Sequence, residues 1–229
     1  MPYTALLIDL DHTLLDSDAS ERLAFEHALA SAGVAEPARH LPAYIQINRA
    51  LWTRVERGEL SPVTLRTERF AQLVAATGID ASPSALADAF AFGLGAFGEL
   101  YPGAPALLDA LAADPSLSLA IVTNGLSDVV RARVARLGLD RYFRVIAVSS
   151  ELGIAKPNPA IFDHALAALG APAKHTALVV GDSLSSDMRG GRNAGIDTCW
   201  YNPHHQPGDA SLVDHEIARI DDLLALIKH

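Results

Sequence analysis

The sequence predicts an α/β protein: a parallel sheet covered by helices, with an all-helical segment inserted after the first strand. Three observations carry that expectation. Short apolar runs alternate with helical patterns in the second half of the chain, each run ends in a polar cluster, and no strand-like run occurs between Ser17 and Leu100. In open parallel sheets ligands sit beyond the carboxyl ends of the strands, where all these polar clusters fall.

Taken in order, Ala5-Leu6-Leu7-Ile8 reads as a buried parallel strand that ends in Asp9-Leu10-Asp11. Leu117 to Val122 ends at Thr123-Asn124-Gly125, and Arg144 to Val148 at Ser149-Ser150. Thr176 to Val180 ends at Gly181-Asp182-Ser183, and Thr198 to Tyr201 follows Gly195-Ile196-Asp197. Helical patterns separate them: Ser127 to Leu137, a helix opened by Asn158-Pro159 and closed by Gly170, and Leu184 to Ala194. The inserted segment reads as four helices, about Ser20 to Ser31, Pro42 to Arg57, Ser61 to Thr77 and Ser82 to Phe97. Ser61-Pro62 and Ser82-Pro83 are cap-plus-first-residue starts, and Gly33, Gly58 and Gly78 are stops. The expected division is therefore a Rossmann-like core at 1–16 and 101–229 and a helical domain at 17–100.

Among 229 residues, 27 acidic side chains outweigh 18 basic ones, for a formal net charge of −9. With no basic run, a polyanion-binding surface is not expected, so no nucleic-acid polymer is a predicted partner. A small anionic metabolite needs only a local positive site. The one cysteine, Cys199, excludes an intrachain disulfide and, inside an apolar run, reads as a buried inert thiol. The first residues lack a basic leader pattern, and no apolar run approaches the ~20 residues of a membrane span. A cytoplasmic protein without membrane partners is expected.

The chemistry concentrates in a few short segments. In an extended chain Asp9 and Asp11 point the same way, so two carboxylates leave one strand end together and need a cation or a proton between them. Thr123-Asn124-Gly125 brings a hydroxyl and an amide, and Lys156-Pro157 an ammonium. Gly181 to Asp187 brings two more acids, Asp182 and Asp187, suited to a hard cation that takes oxygen ligands. Each segment alone has an ordinary structural reading, as a turn, a helix acid or a solvated charge. At the carboxyl ends of separate parallel strands they converge on one crevice, and together they hold what phosphoryl transfer requires.

In that order the segments DLDHT, TNG, KP and GDSLSSD resemble the haloacid dehalogenase superfamily, in its phosphatase branch with a helical type 1 cap. The resemblance spans essentially the whole chain. It implies that Asp9 is a nucleophile that becomes an aspartyl phosphate, and that Asp11 protonates the leaving oxygen and then activates water. It implies that Thr123 and Lys156 hold phosphate oxygens, Lys156 also balancing the charge near Asp9, and Asn124 of the same TNG segment is a substrate-binding candidate beside them. Magnesium would be held by Asp9, the backbone carbonyl of Asp11 and Asp182, with Asp187 beside the metal or orienting Lys156. His12 falls at a variable position and carries no catalytic expectation. True dehalogenases lack an acid two residues after the nucleophile, so Asp11 favours a phosphatase.

The insertion further resembles the cap of bacterial house-cleaning pyrimidine 5′-nucleotidases in Ile47-Asn48-Arg49-Ala50-Leu51-Trp52, Gly58, Arg66, Arg69 and Phe70. That implies a nucleotide substrate, with Asn48, Arg49 and Trp52 as candidate contacts to the base. Trp52 on an amphipathic helix reads more often as bundle core than as a base platform, and Phe90, Phe92 and Phe97 read as core or hinge packing. Other expectations in the same family are a phosphoglycolate or sugar-phosphate phosphatase, a sugar-phosphate mutase, or a non-enzymatic binding module.

Overall fold

The computed structural model describes residues 3–227. Contacts divide them into two compact units. One comprises the described residues of Met1–Asp16, Glu99–Gly125 and Leu137–His229, the other Ser17–Gly98 and Leu126–Arg136.

The chain opens with strand β1 (Ala5–Ile8) and continues through helices α1 (Ser17–Ser31), α2 (Leu41–Glu56), α3 (Pro62–Thr77), α4 (Pro83–Ala96) and α5 (Ala104–Ala112). Strand β2 (Ser118–Thr123), helix α6 (Ser127–Leu137), strand β3 (Val145–Val148) and helices α7 (Ser149–Leu152) and α8 (Pro159–Ala168) follow. Last come β4 (Ala177–Gly181), α9 (Arg189–Ala194), β5 (Asp197–Tyr201), β6 (His215–Ile217) and α10 (Leu223–Ile227).

All six strands join one parallel sheet in the order β3-β2-β1-β4-β5-β6. This is the doubly wound order, and it reverses direction beside β1. Ile8 pairs with Ile121 on one side and Val180 on the other, so Asp9 leaves the sheet level with Gly181. The Asp9 N–H still donates to the Val180 carbonyl at 2.9 Å, which fixes the backbone of this first acid. β1 is buried throughout, and alternate residues line opposite faces: Ala5 and Leu7 pack with Ile161, Phe162 and Ala165 of α8 and Ala194 of α9. β6 was not expected, because His215-Glu216-Ile217 offers too few apolar residues to read as a strand. Its partner β5 supplies the pairing instead.

Cys199 lies fully buried in β5, and burial pushes its thiol up to about 12, which removes thiolate reactivity. Among the described residues no helix is long and apolar enough to cross a membrane.

In the helical unit the expected caps form: Ser61 Oγ accepts from the Thr64 N–H at 3.0 Å, and Ser82 Oγ from the Ala85 N–H at 3.5 Å. The core is aromatic. Tyr44 lies 4.6 Å from Phe25 and 5.6 Å from Phe90 between ring centroids, and Phe70 meets Phe90 at 5.3 Å. Helices α1 and α4 approach so closely that a Cβ at Gly93 would stand 2.8 Å from the Ala24 Cα. Phe92, by contrast, is 65% exposed and is no part of that core.

Helix α6 belongs to this unit, whereas the sequence placed it in the sheet-bearing core. The reason is a pair of arginines. Arg133 Nε donates to the Leu94 carbonyl at 2.8 Å and Arg136 Nε to the Gly95 carbonyl at 3.1 Å, satisfying carbonyls at the end of α4.

Candidate active site

The apolar run of β1 ends at Asp9, which remains buried, and the chain then turns sharply. His12 takes a left-handed φ of 59° and its N–H donates to the Leu15 carbonyl, while Leu14 and Leu15 N–H both donate to the Leu10 carbonyl. His12 thus shapes the loop through its backbone. Thr13, fully buried in this loop, donates its hydroxyl to Asp182 Oδ1 over a long 3.5 Å.

Lys156 is the centre of the site. Its Nζ lies 2.6 Å from Asp9 Oδ1 and 2.6 Å from Asp187 Oδ1, and all three residues are buried. Asp187 occupies a single π-helical turn, Leu184–Met188, in which the Asp187 and Met188 N–H groups both donate to the Ser183 carbonyl. Such turns recur at functional sites. The other carboxylate oxygen of Asp187 accepts from the Ser183 N–H at 3.1 Å. Asp182 is half-buried, and its backbone carbonyl accepts from Trp200 Nε1 at 2.8 Å.

Asp9, Asp182 and Asp187 each offer a carboxylate oxygen, and these lie within 4.8 Å of one another. Charge is badly balanced there. Burial drives the Asp9 carboxyl well above its usual range, Lys156 pulls it back, and Asp187, Asp182 and Asp11 push it further up. Asp182 rises to about 7, from burial and then Asp187. Burial pulls the Lys156 ammonium down, but Asp187 and Asp9 more than offset it and keep it protonated.

The other expected residues divide. Thr123 is buried at the end of β2, and its Oγ accepts from the Gly125 N–H at 3.2 Å. Asn124 turns its amide to the Lys156 backbone: Nδ2 donates to the Lys156 carbonyl at 3.0 Å, and Oδ1 accepts from the Lys156 N–H at 2.8 Å. Asn48 is also buried; its Nδ2 donates to Glu21 Oε1, which also accepts from the Tyr44 hydroxyl, and its Oδ1 has no partner among the described residues. Arg49 is exposed and Trp52 half-buried, so α2 does not present the three side chains alike. Arg69 is held inside the bundle by Tyr44 and lies over the Phe90 ring at 5.2 Å, and Arg66 pairs with Asp88 and Asp128.

The arrangement is a buried carboxylate fixed by an ammonium, with further acids beside it, at the switch point of a doubly wound sheet. The sequence matches the family model of the haloacid dehalogenase-like hydrolases over residues 3–195. The chain belongs to that family. This haloacid dehalogenase-like hydrolase is 38% identical over 205 residues to the pyrimidine 5′-nucleotidase PynA of Streptococcus pneumoniae, covering 90% of this chain and 86% of PynA. It is 34% identical over 206 residues to the pyrimidine 5′-nucleotidase YjjG of Escherichia coli, covering 90% and 89%. Its fold matches a magnesium-bound crystal structure of the HAD-hydrolase YfnB of Bacillus subtilis with a TM-score of 0.91, at 30% identity and over 100% of both chains. That YfnB structure reveals interdomain movement.

The acids of this hydrolase suit a divalent cation. They are hard oxygen donors, they stand close enough to share one ion, and their crowding around a single ammonium is what a cation would relieve.

Two positioning features escaped the sequence reading. Trp200 appeared only as part of an apolar strand, although its indole N–H holds Asp182. Gly181 appeared only as the first residue of the polar cluster that ends a strand, yet a Cβ there would stand 2.6 Å from the Asp187 Cβ and closer still to its carboxylate. A glycine directly before a motif acid, at the end of a buried strand, is the signal that marks such a close approach.

Proposed function

We propose that the protein is a magnesium-dependent phosphatase of pyrimidine nucleoside 5′-monophosphates, working in the cytoplasm through an aspartyl-phosphate intermediate. The observation that carries the chemistry is the buried Asp9–Lys156–Asp187 triad beside Asp182, with Asp11 two residues beyond Asp9. The substrate class rests on the likeness to PynA and YjjG.

In this reading Asp9 attacks phosphorus through a carboxylate oxygen, and the ester P–O bond breaks as Asp11 gives its proton to the departing nucleoside oxygen. Asp11, now ionised, takes a proton from water. That water attacks phosphorus, the acyl phosphate P–O bond breaks, and inorganic phosphate and the Asp9 carboxylate are released. Two of the three Lys156 N–H donors meet Asp9 and Asp187, which leaves the third for a phosphate oxygen. Thr123 Oγ uses a lone pair on Gly125, so its O–H is left to donate. Asp9, Asp182, Asp187 and the Asp11 carbonyl would hold magnesium. Bound there, the ion supplies charge neutralisation for the phosphate. From the likeness to the nucleotidases, Trp52, half-buried, and Arg49, exposed, stay the candidate contacts to the base.

The test is inorganic phosphate release from a panel of nucleotides and sugar phosphates, with magnesium and with chelator. UMP, dUMP and dTMP are expected to exceed AMP and simple sugar phosphates, and chelator to stop all turnover. Equal rates across the panel would remove the nucleotide assignment and leave the phosphatase. Full activity in chelator would remove the metal.

A further inference from the structure

The strand end that carries Thr123 also carries a side chain committed elsewhere. Asn124 faces the backbone of Lys156 with both ends of its amide, 32 residues away in sequence, donating from Nδ2 at 3.0 Å and accepting at Oδ1 at 2.8 Å. Lys156 belongs to no helix or strand, so its peptide groups have no ladder to join. The next residue, Pro157, has no N–H to give. Around it the loop is held by two more amides: Asn193 Nδ2 donates to the Pro157 carbonyl at 3.1 Å, and Asn158 Oδ1 accepts from the Ala160 N–H at 3.0 Å to cap α8.

The ammonium at the end of this side chain must meet Asp9 and Asp187 at once, both at 2.6 Å. A long side chain reaches two fixed acceptors only if its backbone is also fixed. Of the contacts that side chains make to this loop's backbone among the described residues, the Asn124 pair is the one on Lys156 itself, and it ties that residue to the end of β2. A primary amide matched to a peptide group on both its donor and its acceptor also sets orientation, which a single bond does not.

We infer that Asn124 is a positioning residue for Lys156: it sets the register of the loop, and so the placement of the ammonium, and does not bind phosphate through its side chain. This rests on the proposed role of Lys156 in phosphoester hydrolysis. Loss of the clamp leaves a polar pair on the Lys156 backbone without its partner and lets the ammonium drift. A misplacement of about 1 Å can cost about 10²-fold in rate.

The test is a double-mutant cycle on the full-length enzyme, with single-turnover p-nitrophenyl phosphate hydrolysis as readout and thermal unfolding to confirm that each variant is folded. Wild-type turnover of that ester first checks the phosphatase reading by itself. Asn124→Ala alone is expected to slow the reaction about 10²-fold. In a Lys156→Ala background the same change is expected to alter the rate by less than about 2-fold, because the clamp then has no ammonium to place. Asn124→Asp, which keeps the acceptor for the Lys156 N–H but sets a carboxylate oxygen against the Lys156 carbonyl, is expected to lose at least as much as Asn124→Ala. If Asn124→Ala fails to fold, Asn124→Asp replaces it in the cycle. Losses that multiply in the Lys156→Ala background would overturn the inference and give Asn124 its own contact with the substrate.

Discussion

Asp9→Asn is expected to lower single-turnover phosphate release by at least about 10⁴-fold, the scale of removing a covalent nucleophile, while leaving the fold intact. The amide has nearly the shape of the carboxylate, so β1 and its neighbours keep their packing. Stability should not fall. Asp9 is buried among Asp11, Asp182 and Asp187, with Lys156 as its cation partner, and Asp187 still pairs with that ammonium when Asp9 is neutral. Removing one negative charge from this crowd offsets the lost ion pair, so the metal-free variant is expected to melt at or above the wild-type temperature. Differential scanning calorimetry and stopped-flow phosphate release check the two halves. Appreciable turnover in the folded variant would count against covalent catalysis at Asp9. A large drop in melting temperature would count against the charge-crowding account.

The second large effect is expected from a residue with no chemistry of its own. In Gly181→Ala the new methyl would overlap the Asp187 side chain, standing 2.6 Å from its Cβ. Asp187 is almost fully buried, bonded on one oxygen to Lys156 and on the other to the Ser183 N–H, so it cannot move without giving up both. Forcing extra volume into a packed site costs about 1–3 kcal/mol. Breaking a buried ion pair costs about 3–5 kcal/mol. A fall in melting temperature and a rate loss on the order of 10²-fold are expected together. Near-normal stability and rate would show that the Gly181–Asp187 contact relaxes freely.

How much of this was legible beforehand depends on where the signal lies. β1 and β4 are apolar runs that lead into polar residues, and β2 carries such a run over Leu119–Val122, so their place in a parallel sheet followed from the sequence. The inserted helices were legible because Ser61 and Ser82 are cap residues followed by proline, and the structure uses both. β6 was not, because three residues beside β5 owe their strand to its pairing. Helix α6 read correctly as a helix but not in its packing, since Arg133 and Arg136 act on carbonyls that no local pattern reveals.

The site shows the same division. Asp9, Lys156, Asp182 and Asp187 sit in contiguous motifs, and the fold brings them together. Asn124 sits in a motif too, yet its amide serves the Lys156 backbone, a contact between distant loops that spacing cannot disclose. The likeness of the helical insertion to nucleotidases carries a further lesson. Asn48, Arg69 and Phe70 are buried in the bundle, where Glu21, Tyr44 and Phe90 engage them. Part of that likeness therefore records how the bundle packs: half-buried Arg66 is taken up by Asp88 and Asp128 and Ile47 packs on the core, while Arg49 is exposed and Trp52 half-buried.

The central claim, that phosphate passes through Asp9, is tested most directly by stopping the wild-type enzyme in acid during turnover of UMP and measuring the mass of its peptides. Acid preserves an acyl phosphate. The account predicts that the peptide containing Asp9 gains the mass of one phosphoryl group, with the modified residue mapped to Asp9, and that the gain is absent in Asp9→Asn. A phosphoryl group mapped to any other residue, or none trapped while phosphate is being released in a rapid first turnover, would contradict it.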